Sequence, residues 1–293
     1  MRIAVIGRGS WLLDSARKLV ESNDIELVIS YQGDTHYSVS SREYSDFAKS
    51  NGAQYLNQEF SQGRLCTILK DLEIDIVLSS NLPLILSYDV LSSTKYGWLN
   101  GHPGPLPRYR GNASPNWAIL NGESNFGFVV HKMTEKLDEG PIYSHYNFEI
   151  NNKTYIGDVY DLMDRVFPSL FEAALNSVSI GLPGEVQDGR KATHCFPRQD
   201  SDSKIDWRNN SQEIARLIRS YSKPFRGAYC YFEAEEIRIM RATAWPESYD
   251  TYAVPGQIID VGIESFSVAC GSGVLVVEDF VGEPLLKRRS RLE

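Results

Sequence analysis

Long uninterrupted apolar runs are missing from this 293-residue chain. None approaches the ~20 residues that a membrane-spanning helix needs, so no membrane partner is expected. The start, Met1-Arg-Ile-Ala-Val-Ile-Gly7, runs straight into a strand-like segment. It lacks the longer apolar stretch and small-residue cleavage site of a secretion signal, which points to a cytoplasmic protein. Cysteine is scarce. Cys66, Cys195, Cys230 and Cys270 are scattered and form no Cys-x-x-Cys pair, which reads as free or buried thiols in a reducing compartment. The five histidines show no ligand-like spacing such as His-x3-His, so no metal is expected. Positive charge is also short, with 30 Lys and Arg against 38 Asp and Glu, a net charge of −8. Neutralising phosphates takes clustered cations, so this balance lowers the expectation of a nucleic-acid partner while leaving room for a local basic patch.

What is present is a change of rhythm along the chain. Up to about residue 150, short apolar runs alternate with helical spacing. Strands are expected at Arg2–Ile6, Ile25–Ser30, Ile74–Ser79, Gly97–Asn100, Phe126–Met133 and Pro141–Ile150. Helices are expected at Ser10–Ser22, Ser41–Asn51 and Ser61–Leu72, and over Tyr155–Val178 with a kink or break at Pro168. This alternation predicts an α/β domain built on a mostly parallel sheet. The last ninety residues hold a short helix at Glu213–Arg219 and then five short strands parted by Gly, Pro and acidic turns. They predict a small β-barrel-like domain. The boundary falls near residue 200, giving domains 1–199 and 200–293. Gly7-Arg-Gly-Ser10 lacks the third glycine of a dinucleotide fingerprint, since position 12 is Leu, so it reads as a tight turn and not as an NAD site.

Ligands of parallel sheets sit at the carboxyl ends of the strands, and Asn100 lies at such an end. Asn100 and His102 are two residues apart, so on an extended strand they face one side. Pro103, Gly104, Pro105 and Pro107 then form a stiff loop that resists helix. About thirty residues on, Asp138 sits in the turn Lys136-Leu-Asp-Glu-Gly-Pro-Ile142, from which a carboxylate can reach back toward His102. Taken singly, each residue has an ordinary explanation as a turn former or structural polar group. His36, His131, His145 and His194 are given only that ordinary reading. The combined pattern, Asn-x-His-x3-Leu-Pro-x-x-Arg-Gly followed by Leu-Asp-x-Gly-x-Ile, is much more specific.

That pattern resembles the folate-dependent formyltransferases, a family that includes methionyl-tRNA formyltransferase, glycinamide ribonucleotide transformylase and the nucleotide-sugar N-formyltransferases. The resemblance implies a Rossmann-like catalytic domain, 10-formyltetrahydrofolate as cofactor, and catalytic roles for Asn100, His102 and Asp138. It also implies a pterin wall over Leu82–Ser87, through Leu84, Ile85 and Leu86, faced by Met133 and Leu137. Ile205-Asp-Trp207, Ala215-Arg-Leu-Ile-Arg219 and Pro224-Phe-Arg-Gly-Ala-Tyr229 resemble the accessory domain of the tRNA and sugar enzymes, which the purine enzyme lacks. One departure lies after His102, where Pro103-Gly-Pro-Leu-Pro107 replaces the family's Ser-Leu-Leu-Pro. Ser114-Pro-Asn-Trp117 is closer to the sugar enzymes.

Formyl transfer needs a donor for a developing oxyanion and a place for the amine proton. Asn100 supplies a neutral N–H donor. Either His102 or Asp138 is the base, and the sequence leaves that choice open. The expected acceptor is a nucleotide-linked amino sugar, of the dTDP-amino-dideoxyhexose kind, made for surface polysaccharide such as O-antigen or lipopolysaccharide. The alternative is methionyl-tRNA. Arg108, Arg110 and Lys223 are candidates for the diphosphate, and Trp117, Tyr221 and Phe225 for stacking on base or sugar. Apolar strands in the C-terminal region leave room for a homodimer.

Overall fold

A computed structural model describes residues 1–31, 37–57, 61–245, 252–282 and 286–293; His36 lies outside them. The chain divides into two compact units. The first comprises Met1–Ser114, Asn125–Glu149 and Tyr160–Phe196. The second comprises Pro115–Ser124, Ile150–Val159 and Pro197–Glu293, so two short segments from the first half of the chain join the C-terminal ninety residues.

The first unit is a seven-stranded sheet. Its elements run β1 (Arg2–Gly7), α1 (Ser10–Leu19), β2 (Asp24–Ser30), α2 (Ser41–Ser50), β3 (Gln54–Leu56), α3 (Gln62–Asp71), β4 (Ile76–Ser80), α4 (Tyr88–Leu91), β5 (Trp98–His102), β6 (Arg110–Gly111), α5 (Ser114–Asn121), β7 (Asn125–Lys132), β8 (Ile142–Glu149), α6 (Ile156–Ser179) and β9 (His194–Cys195). Helices α5 and α6 each straddle the division between units. The strand order is β3-β2-β1-β4-β5-β7-β8, with β6 and β9 as a separate parallel pair. Pairings among β1 to β5 are parallel, and β7 and β8 are added antiparallel. Strands covered on both faces become continuous apolar runs. Ile3, Ala4, Val5 and Ile6 show it, all fully buried.

Polarity enters at the carboxyl ends of these strands. Ser79 and Ser80 end β4 fully buried. Trp11 Nε1 donates to Ser80 Oγ at 2.7 Å, and Ser80 Oγ donates to the Gly101 carbonyl at 2.9 Å. This relay ties α1 to the strand that carries Asn100 and His102. Helix α6 forms the other support, with Phe128 of β7 stacked on Phe167 at 5.3 Å. Of the kink or break expected at Pro168, the break does not occur, since α6 runs through it as one 24-residue helix. Proline removes one backbone donor from a helix interior. The fully buried Phe167 and Phe171 on either side keep both halves packed, which outweighs that local loss.

The second unit holds α7 (Ser211–Tyr221) and a five-stranded antiparallel sheet, β10 (Ala228–Phe232), β11 (Glu235–Trp245), β12 (Ile258–Val261), β13 (Phe266–Ala269) and β14 (Val274–Val281). The order is β10-β11-β14-β13-β12. Register shifts in β11 between Ile239 and Ala242 and in β12 between Ile258 and Asp260 curl it into a half-barrel, because bulges bend and twist strands. Asn210 caps α7 by accepting from the Glu213 N–H, with Glu213 reaching back to complete a capping box. Ile214 and Ile218 pack with Ile237, Ile239, Val268 and Leu275 in the core.

Candidate active site

Strand β5 ends with Asn100, Gly101 and His102 at the carboxyl edge of the sheet. Asn100 pairs in register with Ser79 of β4 on one side and His131 of β7 on the other. Both side chains are buried, at 9% and 4% exposure for Asn100 and His102. The His102 Nε2 donates to the Tyr109 carbonyl at 2.8 Å. A carbonyl can only accept, so the proton of neutral His102 sits on Nε2 and leaves the Nδ1 lone pair open. That Nδ1 faces Asp138 Oδ2 at 3.5 Å. The loop after β5 keeps this arrangement through Gly104, because a Cβ there would stand 2.6 Å from His102 Nε2.

Asp138 is held from several sides. The Gly111 N–H donates to its Oδ2 at 2.8 Å, and His131 Nε2 lies 3.4 Å from its Oδ1. His131 donates from Nδ1 to the Lys132 carbonyl at 3.0 Å and accepts at Nε2 from Asn100 Nδ2 at 3.1 Å. Amide, imidazole and carboxylate therefore form one connected cluster, Asn100–His131–Asp138–His102. Gln187 braces the loop below. Its Nε2 donates to the Asp138 carbonyl at 2.8 Å and to the Gly140 carbonyl at 2.7 Å, while its Oε1 accepts from Arg110 Nη2 at 2.9 Å. Arg110 Nη1 pairs with Glu139 at 2.9 Å. Gly140 is required for close approach, since a Cβ would run into the Lys132 carbonyl.

Burial lowers the pKa of His102, against the pull of Asp138 in the opposite direction. The imidazole is therefore neutral near pH 7. Burial raises the Asp138 carboxyl, but the Gly111 N–H and the His102 and His131 rings, once these are protonated in acid, together outweigh it and hold Asp138 well below the usual carboxylate range. A neutral imidazole with its lone pair turned toward a fixed carboxylate can take a proton at Nδ1, and the resulting cation is stabilised by that carboxylate.

Leu84, Ile85, Leu86, Met133 and Leu137 line one narrow cleft of about 40 Å³ together with His131 and Asp138. Leu84, Ile85 and Leu137 are 38%, 73% and 52% exposed there. Exposed apolar side chains beside a polar cluster suit a flat, partly apolar ligand.

Two domain families match this chain. The family model described as Formyl transferase covers residues 1–174. The chain belongs to that family. A second, described as Formyl transferase, C-terminal domain, covers residues 198–282. Among curated relatives of this formyltransferase, methionyl-tRNA formyltransferase of Coxiella burnetii is 28% identical over 285 residues, covering 94% of this chain and 88% of that protein. The bifunctional polymyxin resistance protein ArnA of Wigglesworthia glossinidia brevipalpis is 31% identical over 200 residues, covering 66% of this chain and only 29% of that protein. Among solved structures, an N-formyltransferase from Helicobacter canadensis, in complex with folinic acid and dTDP-3-aminofucose, superposes with a TM-score of 0.72. It is 18% identical and covers 96% of this chain and all of that one; at that identity the likeness is one of fold.

The remaining residues singled out in the sequence take other places. Arg108 is exposed, with its guanidinium 5.3 Å from the Tyr109 ring. Arg110 differs from the expected diphosphate ligand: at 3% exposure it is spent on Glu139 and Gln187. Trp117, Tyr221 and Phe225 belong to the second unit. There Trp117 and Tyr221 hold the Arg198 guanidinium between their rings at 4.8 and 4.4 Å, and Phe225 meets Tyr221 edge-on. Trp117 and Tyr221 thus each turn a ring face to a cation of the chain itself. Lys223 is exposed. Sequence reasoning missed His131 and Gln187. A polar residue directly after the buried run Phe128-Val-Val130 marked His131, but its pairing with Asn100 depends on sheet register. Nothing local marked Gln187, which lies 49 residues from Asp138.

Proposed function

We propose that this formyltransferase moves the formyl group of 10-formyltetrahydrofolate onto the amino group of a nucleotide-linked amino sugar, of the dTDP-amino-dideoxyhexose kind, for surface polysaccharide. In this reading the folate supplies the activated one-carbon unit and lies along Leu84, Ile85, Leu86, Met133 and Leu137. The free N–H of Asn100 points to the formyl oxygen and stabilises the negative charge that develops there. His102 accepts the amine proton at Nδ1 as the new C–N bond forms and returns it to N10 of the folate as the bond from N10 to the formyl carbon breaks. Asp138 holds the imidazole and carries the balancing charge. His131 and Gln187 keep Asn100 and Asp138 in place. The observation that carries the reading is the convergence of Asn100, His102 and Asp138 beside that apolar cleft.

The choice of a sugar nucleotide is supported by the net charge of −8 and by the exposed Arg108 on the loop that follows His102, a single cation suited to a compact phosphate group. The Helicobacter fold relative, crystallised with a dTDP-sugar, agrees with it. A second reading, methionyl-tRNA as acceptor, rests on the sequence relatives. A panel assay decides between them. The purified protein is given 10-formyltetrahydrofolate with a set of dTDP- and UDP-linked amino sugars or with charged initiator tRNA. Formylation of an amino-sugar nucleotide is expected, and product on tRNA alone overturns the reading.

A further inference from the structure

The second unit contains a cavity of about 540 Å³ made entirely of its own residues. Pockets for small organic ligands span about 300–1,000 Å³. Gln212, Arg216 and Arg219 form one stripe along α7, at spacings of four and three residues that bring them to the same face. Ile214 and Ile218 turn the opposite way into the core. Lys153 and Tyr155 supply a second wall, and Arg241 of β11 and Glu278 of β14 a third.

The charge of this cavity is unlike that of the chain. Four cations, Lys153, Arg216, Arg219 and Arg241, face one carboxylate. That carboxylate, Glu278, is taken by the Thr243 hydroxyl at 2.6 Å. Other arginines of the chain sit directly on carboxylates, as Arg208 does on Asp206 and Arg238 on Asp200. Among the described residues none of the four pocket cations has a carboxylate within 4.0 Å.

Arg219 is the decisive member. It is only 7% exposed. Its Nη1 donates to the Asn151 and Thr154 carbonyls at 2.7 and 3.1 Å, and its Nε and Nη2 have no protein partner among the described residues. Burial and the nearby Arg216 both disfavour its charge. Burying a guanidinium without a counter-charge is costly. Arg216 Nε is fixed on the Leu120 carbonyl at 3.1 Å, and the Arg241 guanidinium rests 5.4 Å from the Tyr155 ring. The cations are thus positioned before any ligand arrives, which lowers the ordering cost of binding one.

We propose that this pocket binds a small organic diphosphate, with Arg219 at its floor and Lys153, Arg216 and Arg241 around the phosphates. A net formal charge of about +3 suits a diphosphate end group, and the volume leaves room for the organic moiety beyond it. RNA carries the same chemistry, but a buried Arg219 is reached by a terminal phosphate group more readily than by a continuous backbone flanked by riboses.

The test is isothermal titration of the full chain with inorganic pyrophosphate and with dTDP, run on wild type, on Lys153→Gln/Arg241→Gln, and on Asn100→Ala. Both substituted cations are exposed, and the melting temperature checks that the double variant is folded. Pyrophosphate is expected to bind wild type and Asn100→Ala equally, to bind the double variant about tenfold or more weakly, and to lose affinity as salt rises. No binding to wild type, or equal binding to wild type and the double variant, overturns the proposal. So does an RNA hairpin whose binding the double variant abolishes while pyrophosphate and dTDP bind neither protein. Formyl transfer is not read in this experiment, so its outcome is independent of which acceptor the formyltransferase uses.

Discussion

Replacing Gln187 by Leu removes three hydrogen bonds at once. Two fix the carbonyls of Asp138 and Gly140, and the third accepts from the buried Arg110. Leu is close in volume but can neither donate nor accept. Each neutral bond is worth about 0.5–1.5 kcal/mol net, and one to a charged donor about 1.5–3. Arg110 already has one buried unpartnered atom, Nε, so leaving Nη2 unmet adds to an existing deficit. The expected destabilisation is about 2.5–6 kcal/mol, read as a fall in melting temperature of about 2–4 °C per kcal/mol for a unit of this size. The catalytic effect should be larger in proportion. Asp138 holds a left-handed backbone conformation, φ 52°, in a loop that loses its brace, and a displacement of about 1 Å at a reacting group costs on the order of 10²-fold. The loss should fall on kcat, with KM for the folate little changed, because Leu84, Ile85 and Leu86 are untouched. Gln187→Glu supplies the control. It keeps an acceptor for Arg110 but forfeits both donors, so it should recover stability more than turnover. Full activity and an unchanged melting temperature in Gln187→Leu would refute the idea that this side chain positions the carboxylate.

Asn100→Ala should lower kcat by about 10²–10³ while sparing the fold; near-normal turnover in single-turnover kinetics removes this amide from the mechanism. His102 has a folded pKa below its ordinary 6.5, so kcat/KM should stay level through neutral pH and fall only on the acid side of 6.5. Because Asp138 raises that pKa, Asp138→Asn should move the limb to still lower pH as well as reduce its height, and a limb moving upward contradicts the assignment. For stability the lowered His102 pKa means that the unfolded chain binds the proton first. Its contribution is complete above pH 6.5 and declines as pH falls from there toward the folded value. Asp138 adds a second decline below its ordinary 3.8, so urea midpoints measured from pH 7 to 3 should fall in two stages. Gly104→Ala should cost far more activity than stability, since the added methyl displaces the His102 ring from the Tyr109 carbonyl; equal losses in both, by kinetics and melting, would point to general misfolding.

Local pattern determined a good deal. The apolar runs of β1 and β4 and the helical spacing of α1 and α3 specify an α/β sheet because burial on both faces permits no other composition. The Asn100-x-His102 spacing placed two polar side chains on one side of a strand for the same geometric reason. Short strands such as β3 and the β6–β9 pair escaped, because two or three residues carry no period and are held by partners distant in sequence. The helix over Tyr155–Val178 was legible, but its continuity through Pro168 was not, because packing by Phe167 and Phe171 overrides a local preference.

Tertiary structure alone decided which polar groups meet. His131 reaches Asn100 only because β7 pairs antiparallel with β5 in one register, and a shift of one residue would turn it to the other face. Gln187 reaches Asp138 across 49 residues. Arg110 and Arg219 are both arginines beside recognisable motifs, yet one is paired with Glu139 and Gln187 and the other faces an open cavity with no carboxylate within 4.0 Å of it among the described residues. A sequence states which charges exist. Whether each is paired depends on distances of a few ångströms, and those follow from how the whole chain packs.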